Sequence, residues 1–163
     1  MRQQNDSNKL KNNSSRLALK NFILISEFEH SIIGGELYQM LVRHIMIKKV
    51  VTAKKNITLR NAIKILFKRH VGSIVVLNDE KKCAGIFTER DAIRAVAQNV
   101  SLDKPLEEVM TKNVITIKDD APFEEARRQI LAHQIRHLPV INSNGQLVGL
   151  IAVRHIVDEF FKL

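Results

Sequence analysis

Apolar and polar positions in this chain follow two periods, and the same succession is written twice. Residues 17–33 (LALKNFILISEFEHSII) place Leu19, Phe22, Ile23, Phe28 and Ile32 at helical spacing. Gly34 and Gly35 end that pattern. A second helical stretch starts at Glu36 and runs through VRHIM. KVVTA then reads as a short strand, and Leu59 to Lys68 as an amphipathic helix with Leu59, Ala62, Ile63, Leu66 and Phe67 on its apolar stripe. SIVVL has the β-branched content of a buried strand. NDEKK is a turn, CAGIF a further strand, and Glu89 to Ala97 the closing helix. The order returns from LEEVM onward, with NSNG as the turn.

The second pass is a copy of the first. Shifted by 64 positions, Val50–Ile93 lies over Val114–Val157 without a gap. Val50 meets Val114, Thr52 meets Thr116, Ala62 meets Ala126, Asn78 meets Asn142 and Gly85 meets Gly149. One register over about 44 residues means two copies of one supersecondary unit. Each unit of about 60 residues buries only a marginal core alone, so the two are expected to pack together about a pseudo-two-fold axis. The expected class is α+β, built from two β-α-β-β-α repeats behind an N-terminal helical extension. The working boundaries are a disordered Asn/Ser/Gln-rich tail at 1–16, the extension at 17–40, and repeats at 41–100 and 101–163.

Composition narrows the setting. A hydrophobic fraction of 45% fits a globular chain. Cys83 is the single cysteine, so no internal disulfide forms and a reducing cytoplasm is expected; in an apolar strand it reads as a core residue. No apolar run approaches the ~18 residues of a membrane span, and the polar N-terminus lacks the plan of a secretory signal. The net charge of +9 is unevenly placed. Residues 41–100 hold 13 basic and 4 acidic side chains, whereas residues 101–163 hold 8 and 9. That asymmetry fits either an anionic partner or a well-solvated surface.

The sharpest local motif is GIFTERD, Gly85 to Asp91. A helix N-terminus offers free N–H groups and a positive dipole end to phosphate. A threonine hydroxyl can donate to a phosphate oxygen, and an ionised aspartate can accept from both hydroxyls of a ribose. The same Thr-x-x-Asp spacing is also a capping box, which needs no ligand. The second copy reads GLIAVRH, with Ala152 and His155 at those positions, so the unit does not require the box to start this helix.

With VM ahead of the first strand, RHLPV in the second copy and G-h-h-T-x-x-D at the last turn, residues 41–161 resemble a tandem cystathionine-β-synthase (CBS) domain pair, or Bateman module. The resemblance implies a regulatory module, not an enzyme, that binds an adenosine-containing ligand (AMP, ADP, ATP or S-adenosylmethionine) between the repeats. Asp91 would hold the ribose hydroxyls and Thr88 the ribose or phosphate, with Ile86 nearby. Val114 and Ile115 would wall the adenine. Arg136 would bind phosphate, which its planar fork suits, with His137 adjacent and Pro139 closing the pocket. The symmetric cleft would use Val50, Val51, Gly72, Ser73, Ala152 and His155, and is expected to be weak or empty. The resemblance further implies a homodimer through helix faces and an effector protein in a separate chain, and it requires no cofactor.

Other chemistries find less support. His133 and His137 are four apart, but the register puts one at a helix end and the other in a strand, so no metal site is expected. No nucleophile–base set converges. Nucleic-acid binding through Lys48, Lys49, Lys54, Lys55, Lys64, Lys68 and Arg69 is the main alternative, although one Tyr and no Trp leave no stacking surface. A dimerisation scaffold with a vestigial cleft is the other.

Overall fold

The computed structural model describes residues 40–161; the expected tail at 1–16 and the helix at 17–33 lie outside the described residues. Two three-stranded sheets are formed, one per repeat. In the first repeat, β1 (Thr52–Lys54) runs parallel to β2 (Ser73–Leu77), and β2 runs antiparallel to β3 (Cys83–Thr88). The helix α2 (Leu59–Arg69) crosses over between β1 and β2, and α3 (Glu89–Ala97) follows β3. In the second repeat, β4 (Ile117–Lys118), β5 (His137–Ile141) and β6 (Leu147–Ala152) repeat that order with α4 (Phe123–His133) and α5 (Val153–Phe161). The lead-in helix α1 (Val42–Ile45) precedes both.

Local chemistry explains the repeated residues. Asn78 and Asn142 tie their own turns: Asn78 Oδ1 accepts from Glu80 N–H at 3.1 Å and Lys82 N–H at 2.9 Å, and Asn142 Oδ1 from Asn144 N–H at 3.0 Å and Gln146 N–H at 2.9 Å. The bonds two residues on are Asx turns, and they hold the hairpin without a glycine pair. Gly145, at φ +76°, takes the left-handed position of the second turn, and Lys81 takes it in the first at φ 60°.

The first core gathers Leu59, Ala62, Leu66, Ile74, Val76, Phe87 and Ala95. Its eighth member, Leu106, belongs to the linker ahead of the second repeat. Reciprocally, Val42, ahead of the first repeat, is fully buried and donates its N–H to the Ala121 carbonyl of the second (2.9 Å). The lead-ins are exchanged, and the exchange obeys the 64-residue register throughout. Ile86 and Thr111 trade backbone hydrogen bonds at 3.0 and 2.9 Å; Leu150 and Ile47 do the same at 3.0 and 2.9 Å. A Cβ on Gly85 would lie 2.8 Å from Met110 Cε, and one on Gly149 2.8 Å from Met46 Cγ. Each repeat therefore uses a glycine to admit a methionine carried by the other repeat's lead-in. Burying a side chain such as Leu106 stabilises the fold by about 1.5–3 kcal/mol, and here that burial joins two repeats.

Two expected elements differ. LEEVM forms a short 3-10 turn, Leu106–Glu108, rather than an α-helical segment. Pro105 stands at its N-cap, and the Leu106 and Glu107 N–H groups donate to the Ile57 and Lys55 carbonyls, the same outward bonds that Val42 and Arg43 make to Ala121 and Asp119 at the start of α1. The first strand of each repeat is shorter and later than KVVTA suggests, because its ladder to the next strand begins at Thr52↔Val75 and at Ile117↔Val140.

Candidate functional site

The start of α3 is built as a reciprocal cap. Asp91 N–H donates to Thr88 Oγ1 (3.3 Å), and Thr88 N–H donates to Asp91 Oδ2 (2.9 Å). The Thr88 hydroxyl donates to the same Oδ2 at 2.7 Å. Asp91 Oδ1 pairs with the guanidinium of Arg94, one turn further along the helix. The carboxylate is only 6% exposed and has a partner on each oxygen. So the capping box is real, which the spacing allowed. It also leaves a buried carboxylate at the positive end of a helix.

The equivalent end of α5 lacks all of this. Ala152 and His155 stand there, and the position of Arg94 is filled by Asp158. What the two starts share is backbone: Glu89 N–H donates to the Gly72 carbonyl (3.2 Å), and Val153 N–H to the Arg136 carbonyl (3.0 Å). That cross-strand bond fixes the helix direction in both copies. The side-chain box is added in one.

An open cleft of about 390 Å³ lies between α3 and the linker, beside Asp91. Arg94 and Gln98 line it from the helix, and Lys104, Glu108 and Val109 from the linker. Lys104 pairs with Glu108 at 2.9 Å. The second-repeat residues named from the sequence lie elsewhere. Val114 and Ile115 are half-buried in the segment leading to β4, three and four residues past Thr111, whose backbone is bonded to Ile86. Ile86 is itself 7% exposed in β3. Pro139 is fully buried in β5, opposite Leu150.

Arg136 is exposed and His137 half-buried at the edge where the repeats meet. A Cβ on Gly72 would lie 3.2 Å from His137 Nε2 and 3.6 Å from Glu89 Oε2, so the imidazole and the Glu89 carboxylate fill the space that glycine leaves. Burial pushes the His137 pKa below its ordinary value, and the Arg136 cation pushes the same way; Glu89 opposes them. Glu89 thus connects the first repeat's helix start to the second repeat's Arg136–His137 pair. Sequence reasoning had missed Glu89, as it had missed Arg94. Arg94 lies three residues after Asp91, which is one helical neighbour away, and that spacing was available as a signal.

Among the described residues no group of three or more His, Cys, Asp or Glu side chains could hold a metal ion. Among the same residues no helix is long and apolar enough to cross a membrane. The Cys83 thiol is partly buried, and burial raises its pKa.

Comparison with known proteins identifies the family. The CBS domain model matches residues 42–98 and again 106–162, and the chain belongs to that family as a tandem pair. An uncharacterized 17.7 kDa protein of Acidianus ambivalens is 37% identical over 115 residues, covering 71% of this chain and 70% of the relative. The L-aspartate semialdehyde sulfurtransferase of Methanocaldococcus jannaschii is 34% identical over 120 residues, 74% of this chain but 23% of that enzyme. The chain thus spans about a quarter of that relative's length. Among solved structures, a CBS domain pair in complex with 5'-methylthioadenosine and S-adenosyl-L-methionine has a TM-score of 0.69 at 32% identity, covering 76% of this chain and 97% of the other. A CBS domain protein from Pyrobaculum aerophilum complexed with AMP has a TM-score of 0.68 at 30% identity, covering 76% and 100%.

Proposed function

We propose that the chain is a regulatory module that binds an adenosine-containing ligand, AMP, ADP, ATP or S-adenosylmethionine, between its repeats and passes the signal to a separate effector protein. One observation carries the reading: the Asp91 carboxylate is buried at a helix start in one repeat only, in a chain similar to solved CBS domain proteins that include complexes with adenosine compounds. The first repeat supplies Asp91 for the ribose hydroxyls, Thr88 for ribose or phosphate, and Ile86 as apolar contact. The second supplies Val114 and Ile115 against the adenine, Arg136 for phosphate, His137 beside it, and Pro139 as the packed floor. The cleft using Ala152 and His155 is weak or empty, so one tightly held ligand per chain is expected.

The signal follows from the exchanged lead-ins. A ligand bearing on Asp91 and Val114 touches both sides of the linker that ends in Met110, so it shifts any equilibrium between two linker positions by its difference in affinity for them. The same reading includes a homodimer. Phe67 on α2 and Ile93 and Val96 on α3 are 77%, 70% and 62% exposed, an apolar face that a second copy would cover. We place the module in the cytoplasm, where the lone Cys83 stays reduced.

The test is a thermal-shift screen over AMP, ADP, ATP, S-adenosylmethionine, NAD and cyclic dinucleotides. A ligand at 100 times its Kd stabilises by about 2.7 kcal/mol. A shift by an adenosine compound that Asp91→Ala abolishes supports the reading. No shift by any of them sinks it.

A further inference from the structure

We propose that Arg94 is a latch on the Asp91 carboxylate, which must swing away before a ribose can be gripped. This rests on the reading of Asp91 as the ribose acceptor. A carboxylate offers two oxygens and about four acceptor positions. Two positions, both on Oδ2, are taken by the N–H and hydroxyl of Thr88. Oδ1 is taken by Arg94. With Asp91 6% exposed, the remaining directions of approach are few. A vicinal diol needs two acceptor positions side by side, and freeing both on Oδ2 would give up the Thr88 N–H half of the capping box.

Arg94 can yield. Its side chain is 55% exposed, it sits on a flexible stem, and it lines the same open cleft as Asp91. Exchange of guanidinium for diol leaves both Thr88 bonds and the cap intact. The latch therefore weakens binding of every diol ligand by the strength of the Arg94–Asp91 pair. It also sets specificity. A ligand carrying phosphate brings a second anion that can compete for the released guanidinium, and neutral adenosine brings none. The second repeat cannot hold this device, since His155 and Asp158 replace the pair.

Calorimetric titration of adenosine and AMP into wild type, Arg94→Gln, Lys104→Gln and Asp91→Ala tests the latch. Arg94→Gln should bind adenosine about fivefold tighter, the factor that corresponds to a half-exposed ion pair of roughly 1 kcal/mol. Its gain for AMP should be smaller. Raising the salt concentration should tighten adenosine binding to wild type, by screening the pair, and leave Arg94→Gln flat. Lys104→Gln removes an equal charge from the same cleft and should leave adenosine affinity unchanged. Equal or weaker adenosine binding by Arg94→Gln, in a protein whose wild type binds and whose Asp91→Ala does not, overturns the latch and leaves the site reading standing. Absence of adenosine and AMP binding in every variant overturns both.

Discussion

The two repeats share a backbone and divide the chemistry. Each has a parallel strand pair closed by an antiparallel hairpin, an Asx-tied turn, and a glycine that receives the other's methionine. Only the first carries Thr88, Asp91 and Arg94; the second has Ala152, His155 and Asp158 there. The contrast separates what the fold needs from what it does not. Residues that persist after duplication solve packing and turn problems. Those that do not persist at the helix start are free to serve a ligand, and the one retained box is a functional candidate because its twin helix forms without it.

The widest predicted separation is in ligand response. Asp91→Ala should abolish the thermal shift of about 2.7 kcal/mol that a saturating adenosine compound produces, while His155→Ala should leave it unchanged. Loss of the cap should lower the unliganded stability of Asp91→Ala by only about 1 kcal/mol. A collapse of the unliganded variant would instead make Asp91 a structural residue.

The glycines test the opposite half of the comparison, where the repeats should behave alike. Gly85→Ala drives a methyl into Met110, and Gly149→Ala drives one into Met46. Each should cost about 1–3 kcal/mol by overpacking, measured as the denaturant midpoint. Near-equal costs support the exchanged lead-ins as a symmetric device. A large cost at one glycine and none at the other would show that only one lead-in is held.

These contacts also mark where sequence reading stopped. The helix Glu89–Ala97 and the box Thr88–Asp91 were legible because each rests on neighbours within a few residues, and the strand SIVVL because its β-branched run is local even though its partners are not. The exchange was not. Met110 is remote from Gly85 along the chain, and no periodicity records a contact at that range. Its trace was present in another form: methionine and glycine each recur at the repeat interval, at Met46 and Met110 and at Gly85 and Gly149. The α-helical reading of LEEVM failed although its counterpart Val42–Ile45 forms a short α-helix, and both starts make the same outward backbone bonds. The candidate site could be named from the sequence only as residue types; spacing allows Arg94 to reach the Asp91 carboxylate but does not fix the pair, and nothing there marks the place of Glu89 between the repeats.

A smaller effect distinguishes the repeats by pH. His137 is packed among Gly72, Glu89 and Arg136, whereas Ser73 holds the equivalent position. Its pKa is lowered in the folded state, so the unfolded chain binds the proton more readily. Stability from this group is complete above the ordinary histidine range near 6.5 and is lost as pH falls below it. Relative to wild type, His137→Gln should therefore gain stability at pH 5 compared with pH 7.5. Identical pH profiles would show that the imidazole is hydrated and free.

The smallest expected effect comes from writing the first repeat's box into the second. Ala152→Thr with His155→Asp supplies an N-cap hydroxyl and a carboxylate at the start of α5, where the Val153 N–H already bonds the Arg136 carbonyl. Capping favours the change by about 1 kcal/mol at most. The new carboxylate, however, would stand three residues before Asp158 instead of an arginine, and like charges at that spacing oppose it by a few tenths of a kcal/mol. The double variant should therefore be slightly more stable than wild type. Adding Asp158→Arg exchanges that repulsion for an attractive pair but gives up the exposed Arg154–Asp158 pair and sets two arginines four apart, so the triple variant should stay within a few tenths of a kcal/mol of the double. A double variant no more stable than wild type, by denaturant midpoint, would show that the box adds nothing where the backbone bond already starts the helix.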